Sequence, residues 1–103
     1  MLFVTYFELN DNLDPTVIAD LAQKFTSKKL FPVEGVKILN WLVTTENWGI
    51  VISEDTSEEA MFKDVNMWRI AMPGIFKTIN SAVAMEAAKL IPLLLKLSKA
   101  VKD

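Results

Sequence analysis

Four side chains in this sequence could bind or orient a small molecule. Tyr6 is the one phenol in the chain, Asn40 is an amide among apolar neighbours, and Trp48 offers a flat ring with one polar edge. Arg69 is the one arginine, and its guanidinium could hold an anionic ligand through two parallel hydrogen bonds. Flat rings with a few polar groups are typical of sites for aromatic ligands. We therefore take these four as candidate ligand-binding residues and assign no catalytic residue.

Each candidate also has a purely structural explanation. For the three tryptophans we favour packing in a core or a dimer interface. Tyr6 could hydrogen-bond a carbonyl group at the barrel rim. Arg69 could form a surface salt bridge with Asp64, Asp55 or another carboxylate. For Asn40 the structural and functional explanations are evenly balanced. A buried amide needs a partner, which could be a protein group, a water molecule or a ligand.

Several classes of chemistry are excluded by what the chain lacks. It has no histidine and no cysteine, which excludes histidine-based triads, thiolate nucleophiles, disulfides and the usual haem ligand. It has no phosphate-binding loop, dinucleotide-binding motif or nucleophile elbow. The acidic pairs Glu54-Asp55 and Glu58-Glu59 are interpreted as a strand end and a helix start. We therefore predict no cofactor and no metal site.

Composition limits the partners of this chain. The net charge is −2 and there is one arginine, so we expect no nucleic-acid partner. The apolar runs fall far short of the roughly 18 residues that a membrane span needs, and the N-terminus does not resemble a signal peptide. We therefore predict a cytoplasmic protein with no membrane partner. Half of the 103 residues are apolar, which indicates an interface with another protein chain.

A predicted β-hairpin over residues 36–54 organises the chain. Two runs of β-branched and aromatic residues flank a polar break at residues 44–47, which is the pattern of a hairpin. Both faces of both strands are apolar, whereas a sheet with one wet face should alternate apolar with polar residues. We therefore expect helices of the same chain to cover one face and a second copy of the protein to cover the other.

Alternation along the first hairpin strand assigns its side chains to these two faces. Ile38, Asn40 and Leu42 should share one face, while Leu39, Trp41 and Val43 should share the other. On the helix-packed face an amide would be enclosed by apolar side chains with few partners. We therefore expect Asn40 to face the second subunit and Trp41 to face the helices.

Two helix starts are marked by capping signals. Asp14 and Pro15 are the residue types preferred at the cap and at the first helical position. After the hairpin, Thr56 and Glu59 have the spacing of a capping box. We therefore expect one helix on each side of the hairpin in the chain order.

The remaining segments complete an α+β pattern. We expect strands over residues 2–8 and 75–84, although the last four residues could belong to a loop. An amphipathic helix should cover residues 86–101, and Pro92 should kink or restart it. The order β-α-β-β-α-β followed by a helix predicts a ferredoxin-like fold with a four-stranded antiparallel sheet.

Parts of the chain resemble a known family. The segments MLFVTYFE, PVEGVKIL, WGIVISE and TSEEAMFKDVNMW are similar to a small microbial domain family of unknown function within the dimeric α/β-barrel superfamily. The resemblance covers residues 1 to about 84 and implies ferredoxin-like domains that pair sheet to sheet. It carries over no catalytic residue. Some monooxygenases of the superfamily have a pocket aromatic residue whose position is similar to that of Trp68. Its haem-using members rely on a histidine that is absent here.

These observations predict a homodimer or higher homo-oligomer of one domain. Residues 1–84 should form the ferredoxin-like unit, and residues 85–103 a helix in the same domain or in the oligomer interface. One functional hypothesis is a barrel that binds a small apolar or aromatic molecule between the paired sheets, as a sensor or a cofactor-independent enzyme. The alternative is a structural or protein-interaction module with a filled interior and no ligand.

Overall fold

The computed structural model describes residues 1–102 of the chain. The elements in order are β1 (Leu2–Leu9), α1 (Pro15–Ser27), β2 (Val36–Val43), β3 (Trp48–Asp55), α2 (Glu58–Ala71), β4 (Phe76–Ala84) and α3 (Ala87–Lys102). The four strands form one antiparallel sheet in the order β2-β3-β1-β4. This arrangement confirms the predicted ferredoxin-like α+β fold with an extra C-terminal helix. Strand β4 includes the last four residues of its segment, which could have belonged to a loop.

The hairpin between β2 and β3 has the predicted turn. The amide of Thr44 donates to the carbonyl oxygen of Trp48 at 2.7 Å, and the amide of Asn47 donates back to Thr44 at 3.3 Å. Asn47 has a φ of 62°, a left-handed conformation that asparagine tolerates better than most residues. The polar break therefore supplies the residue type that the tight connection requires.

Capping residues start the first two helices. The carboxylate of Asp14 accepts hydrogen bonds from the Thr16 amide at 2.9 Å and the Thr16 hydroxyl at 2.8 Å, and these bonds lower the pKa of Asp14. The second helix is capped by Ser57, whose hydroxyl accepts from the amide of Ala60 at 3.1 Å. The prediction of Thr56 as this cap is therefore wrong by one residue. The amide of Thr56 is instead held by the carbonyl oxygen of Gly35 at 2.8 Å, before the helix begins.

A β-bulge changes the predicted faces of β2. The register of β2 against β3 shifts between Ile38 and Asn40, so Leu39 is the extra residue. Ile38 consequently packs against the helix-side core, and Asn40 lies opposite Ile52 on the other face. The expectation that Ile38 shares a face with Asn40 is wrong, because simple alternation does not anticipate an inserted residue.

Aromatic side chains hold the helices onto the sheet. The buried core cluster consists of Phe25, Phe31, Trp68 and Ile75. The ring centroid of Trp68 lies 4.9 Å from that of Phe25 and 5.2 Å from that of Phe31. Trp41 packs from β2 onto the same residue with a centroid separation of 5.9 Å. The expectation that Trp41 faces the helices is confirmed, and Trp68 is the side chain that joins both helices to β2.

Helix α3 lies apart from this core. None of its residues is buried, and it makes no extensive contact with another element among residues 1–102. The radius of gyration is 16.8 Å, against about 13 Å for a compact domain of this length. Pro92 lies inside a continuous helix, so of the two expected outcomes the restart is wrong and the kink stays a prediction. Proline removes one hydrogen bond, while the flanking leucines, alanines and lysines favour helix.

Candidate functional site

One face of the sheet is left uncovered by α1 and α2, and we call it the open face. Cross-strand pairs place its members in register: Val4 lies opposite Ile52, and Tyr6 lies opposite Ile50 on one side and Asn80 on the other. The open face is formed mainly by Val4, Tyr6, Glu8, Asn40, Leu42, Trp48, Ile50, Ile52 and Asn80. Three of the four candidate residues therefore share one surface.

Tyr6 and Trp48 form an aromatic pair on the open face. Their ring centroids are 5.9 Å apart, and the planes are inclined by 40°. The Tyr6 hydroxyl donates a hydrogen bond of 2.8 Å to Oε1 of Glu8. This bond stabilises the protonated phenol and raises the pKa of Tyr6, to which desolvation and the charge of Glu8 add. Tyr6 is therefore suited to contacting a ligand and is not prepared to act as a base.

Asn40 lies on the edge strand β2 and is exposed in the single chain. Its candidacy rested on the cost of burying an unpaired amide, and that cost does not arise while the face is open. A second layer over the open face would bury the amide and make a partner necessary. Whether Asn40 needs a ligand or another hydrogen-bond partner therefore depends on whether a second protein layer covers the open face.

Arg69 does not join the other three candidates. It is exposed on α2, which packs on the opposite face of the sheet. The salt bridge expected with Asp64 or Asp55 is not formed, and the ion pair found among residues 1–102 joins Lys63 and Glu59 at 3.4 Å. Asp64 and Arg69 are five helical positions apart, so their side chains diverge by about 140° around the axis.

The helix side of the sheet contains a partly open cavity of about 90 Å³. It lies among Phe31, Trp41 and Trp68 and the strands that they cover. Binding sites for drug-sized ligands usually measure roughly 300–1,000 Å³. This cavity has room for only a few non-hydrogen atoms or water molecules.

Two carboxyl groups line the cavity, at Asp55 and Asp64. Asp55 ends β3 and is 3% exposed, and its Oδ1 is buried without a hydrogen-bond partner among residues 1–102. Oδ1 of Asp64 accepts a hydrogen bond of 3.4 Å from the amide of Val33. Burial raises the pKa of Asp64 to about 6; the Val33 bond opposes this shift, and the charge of Asp55 adds to it.

Sequence reasoning missed this pair, although a signal for it was present. Asp55 alternates with Ser53 and Val51, which places it on the helix-covered face of β3. Asp64 precedes Trp68 by four residues, so it lies on the apolar stripe of α2. The interpretation of Asp55 as part of a solvated strand end did not anticipate that its side chain is buried on the helix-covered face.

Further polar side chains lie on the helix-covered face of the sheet. Thr5 and Ser53 are buried, and the Thr5 hydroxyl lies 2.7 Å from that of Ser81. Thr5 and Ser53 also line the cavity. These polar groups lie in a cavity whose other walls, from the sheet and from the helices alike, are mainly aromatic and apolar.

Neither a metal site nor a membrane-spanning helix is present among residues 1–102. Within residues 1–102 no group of three or more acidic side chains is placed to hold a metal ion. No helix in the same range combines the length and hydrophobicity required to traverse a bilayer. Comparison with protein-family models found no match, and no curated protein matches the chain significantly. The residues and their geometry therefore carry the functional interpretation.

Proposed function

We propose that the chain forms a homodimer through the open face and binds a small apolar or aromatic molecule between the two sheets. The observation that carries this proposal is an aromatic pair, Tyr6 and Trp48, set in an apolar surface that the chain's own helices leave uncovered. The resemblance to dimeric α/β-barrel domains supports the same arrangement. A cytoplasmic location is part of the proposal.

The open face supports a protein partner because it is apolar and unpaired. Leu42 is 56% exposed and Trp48 is 39% exposed, although both lie in a sheet whose other face is covered. Apolar surface of this extent marks an interface, and a sheet with two apolar faces needs a layer on each. A second copy is self-complementary by symmetry and requires no other gene product.

The dimensions of the sheet indicate that α3 takes part in the interface. Four strands of about eight residues present a flat area of roughly 500 Å² on each chain. Two such faces lie near the lower limit of a specific interface, and an obligate dimer buries roughly 2,000 Å² or more. Additional apolar surface must therefore contribute.

Helix α3 supplies suitable surface. Leu90, Leu94, Leu97 and Val101 follow the spacing of a helix-pairing seam, and all four are exposed. We assign this seam to contact with the second copy. A basic amphipathic helix could also lie on a membrane, but an uncovered apolar sheet in the same chain favours the protein partner.

The ligand site in this dimer would be built from three residues. Tyr6 and Trp48 offer flat apolar surface with polar edges, and Asn40 offers an amide that can both donate and accept. Arg69 is left out, because it lies on the helices beyond the other face. The raised pKa of Tyr6 favours binding over proton transfer at this site.

Light scattering of the full chain at micromolar concentration tests the dimer. We expect a dimer or a multiple of one, and Ile50→Lys should shift it to monomer by placing a charge in the centre of the open face. Phe62→Lys is the matched control, because Phe62 is 68% exposed on α2, away from that face. A monomeric wild-type protein would refute the dimer.

Titration of the dimer with 2-naphthol tests the ligand site. We expect saturable binding that changes tryptophan fluorescence and that Asn40→Leu weakens. A dimer that binds neither 2-naphthol nor other small aromatics would favour the alternative, in which side chains fill the space between the sheets.

A further inference from the structure

The cavity on the helix side is lined by a carboxyl group in an unusual setting. Asp55 is 3% exposed and lines this cavity, and its Oδ1 is buried without a hydrogen-bond partner among residues 1–102. Asp64 adds a second carboxyl group to the same cavity. Burying a carboxylate without a compensating charge is costly, and either protonation or a counter-charge removes that cost.

The chain itself does not supply this counter-charge. No basic side chain lines the cavity, and the ion pair present in residues 1–102 is Lys63–Glu59 on the surface. The Met1 ammonium donates to the main-chain oxygen of Asp55 at 2.9 Å and forms no ion pair with its carboxylate. A cation that compensates these carboxylates would therefore come from outside the described part of the chain.

The cavity walls are suited to an organic cation. The rings of Phe31, Trp41 and Trp68 are among the groups that line it, and they pack against one another with centroid separations of 5.1, 5.2 and 5.9 Å. Aromatic faces attract ammonium groups, most strongly where water is excluded. Carboxylates combined with aromatic rings recognise both the charge of an alkylammonium ion and its apolar carbons.

We propose that this cavity binds a small organic ammonium cation, with Asp55 and Asp64 as its counter-charges and Trp41 and Trp68 as its aromatic walls. The site lies on the opposite face of the sheet from the proposed dimer interface, so it does not depend on that proposal. Trp41, one of the lining residues, is 42% exposed on the edge strand β2.

The volume of the cavity limits the size of the cation. An apolar cavity of about 150 Å³ accommodates benzene, so the roughly 90 Å³ available here suits about three or four non-hydrogen atoms. Ethylammonium has this size. A magnesium or calcium ion fits the chemistry less well, because each prefers six or more oxygen ligands and the cavity offers only two carboxyl groups.

The affinity should depend on pH through Asp64. Asp55 and Asp64 are the titratable side chains among those that line the cavity. Burial first, and then the charge of Asp55, raise the pKa of Asp64 to about 6. Protonation of Asp64 removes one counter-charge, so binding should weaken as the pH falls from 7.5 to 5.

Titration of the full chain with ethylammonium chloride at pH 7.5 tests the site, with sodium chloride at equal concentration as the reference. We expect a saturable change in tryptophan fluorescence and a rise in melting temperature. Asp55→Asn and Asp64→Asn should each weaken binding at least tenfold. Glu54→Gln is the matched control, because Glu54 adjoins Asp55 but is exposed and lies on the opposite face.

Several outcomes would overturn the proposal. These are an equal response to sodium chloride, unchanged binding by Asp64→Asn, or equally tight binding of the much larger tetraethylammonium ion. A response to magnesium that depends on Asp55 and Asp64, without a response to ethylammonium, would show a metal site instead. If Asp55→Asn does not fold, the Asp64→Asn variant decides the question. We expect Asp64→Asn to fold, because it removes a buried charge that opposes folding.

Discussion

Replacement of Asp64 by asparagine should stabilise the protein at neutral pH. The folded structure holds Asp64 at a pKa of about 6, whereas its ordinary value is 3.8. A carboxyl group whose pKa is raised by folding favours the folded state below its unfolded pKa, and this contribution is lost as pH rises through the folded value. The ionised Asp64 therefore opposes folding at pH 7. Asparagine has nearly the same shape and can still accept the Val33 hydrogen bond.

The size of the effect follows from the pKa difference. At about 1.4 kcal/mol for each pKa unit, the difference corresponds to about 3 kcal/mol. Solvent reaches part of the Asp64 side chain and screens its charge, so we expect a gain of about 1–2 kcal/mol in the free energy of unfolding. For a domain of this size, the melting temperature should rise by about 5–10 °C.

Urea denaturation between pH 4 and pH 8 measures this prediction. The difference between Asp64→Asn and the wild-type protein should be near zero at pH 4 and should grow between pH 4 and pH 7. Asp20→Asn on the exposed surface of α1 is the control, and it should show no such growth. A variant that is less stable at pH 7, or a gain that does not change with pH, would refute the reasoning.

Two further changes test the packing and the assembly. Trp68→Ala should cost about 3–5 kcal/mol, because it empties the centre of the core, whereas the more exposed Trp41 should cost roughly half as much when changed to alanine. Chemical denaturation compares the two, and a larger loss at Trp41 would contradict this assignment. Truncation after Ala88 should cause aggregation or loss of the oligomer, because it removes the apolar surface of α3. A truncated protein that stays in solution with an unchanged number of subunits per particle would show that α3 is dispensable.

The two proposed sites occupy opposite faces of one sheet, which allows them to be tested separately. Ile50→Lys addresses the open face, while Asp64→Asn addresses the helix-side cavity. Loss of the dimer with retained ethylammonium binding would separate the two activities. Loss of both in one variant would point to a global change in the sheet, which far-ultraviolet circular dichroism would detect.

Local sequence signals predicted most of the fold. Asp14 and Pro15 marked the start of α1 correctly, because capping depends on residues within one helical turn. The turn after β2 was also correct, since its residue types suit the conformations that the connection requires. The α+β order followed from these segments, and short antiparallel connections leave few ways to assemble them.

Errors occurred where a long-range contact decided the local structure. The helix cap fell on Ser57 because the main chain of Thr56 was already bonded to Gly35. The bulge at Leu39 reversed the face of Ile38, because pairing with β3 determines the register of β2. Neither the hydrogen bond between Thr56 and Gly35 nor the shifted pairing of β2 with β3 can be inferred from residue type alone.

For the candidate site too, local sequence predicted some features, while others depended on long-range contacts. The sequence by itself determined that histidine and cysteine chemistry is absent, and strand alternation correctly turned Asn40 and Trp41 to opposite faces. Only the tertiary structure separated Arg69 from Tyr6 and brought Asp55 to the same cavity as Asp64. Periodicity tells which face of its own strand or helix a side chain occupies. Which faces meet, and how much water remains between them, depends on packing between elements that are far apart in the chain.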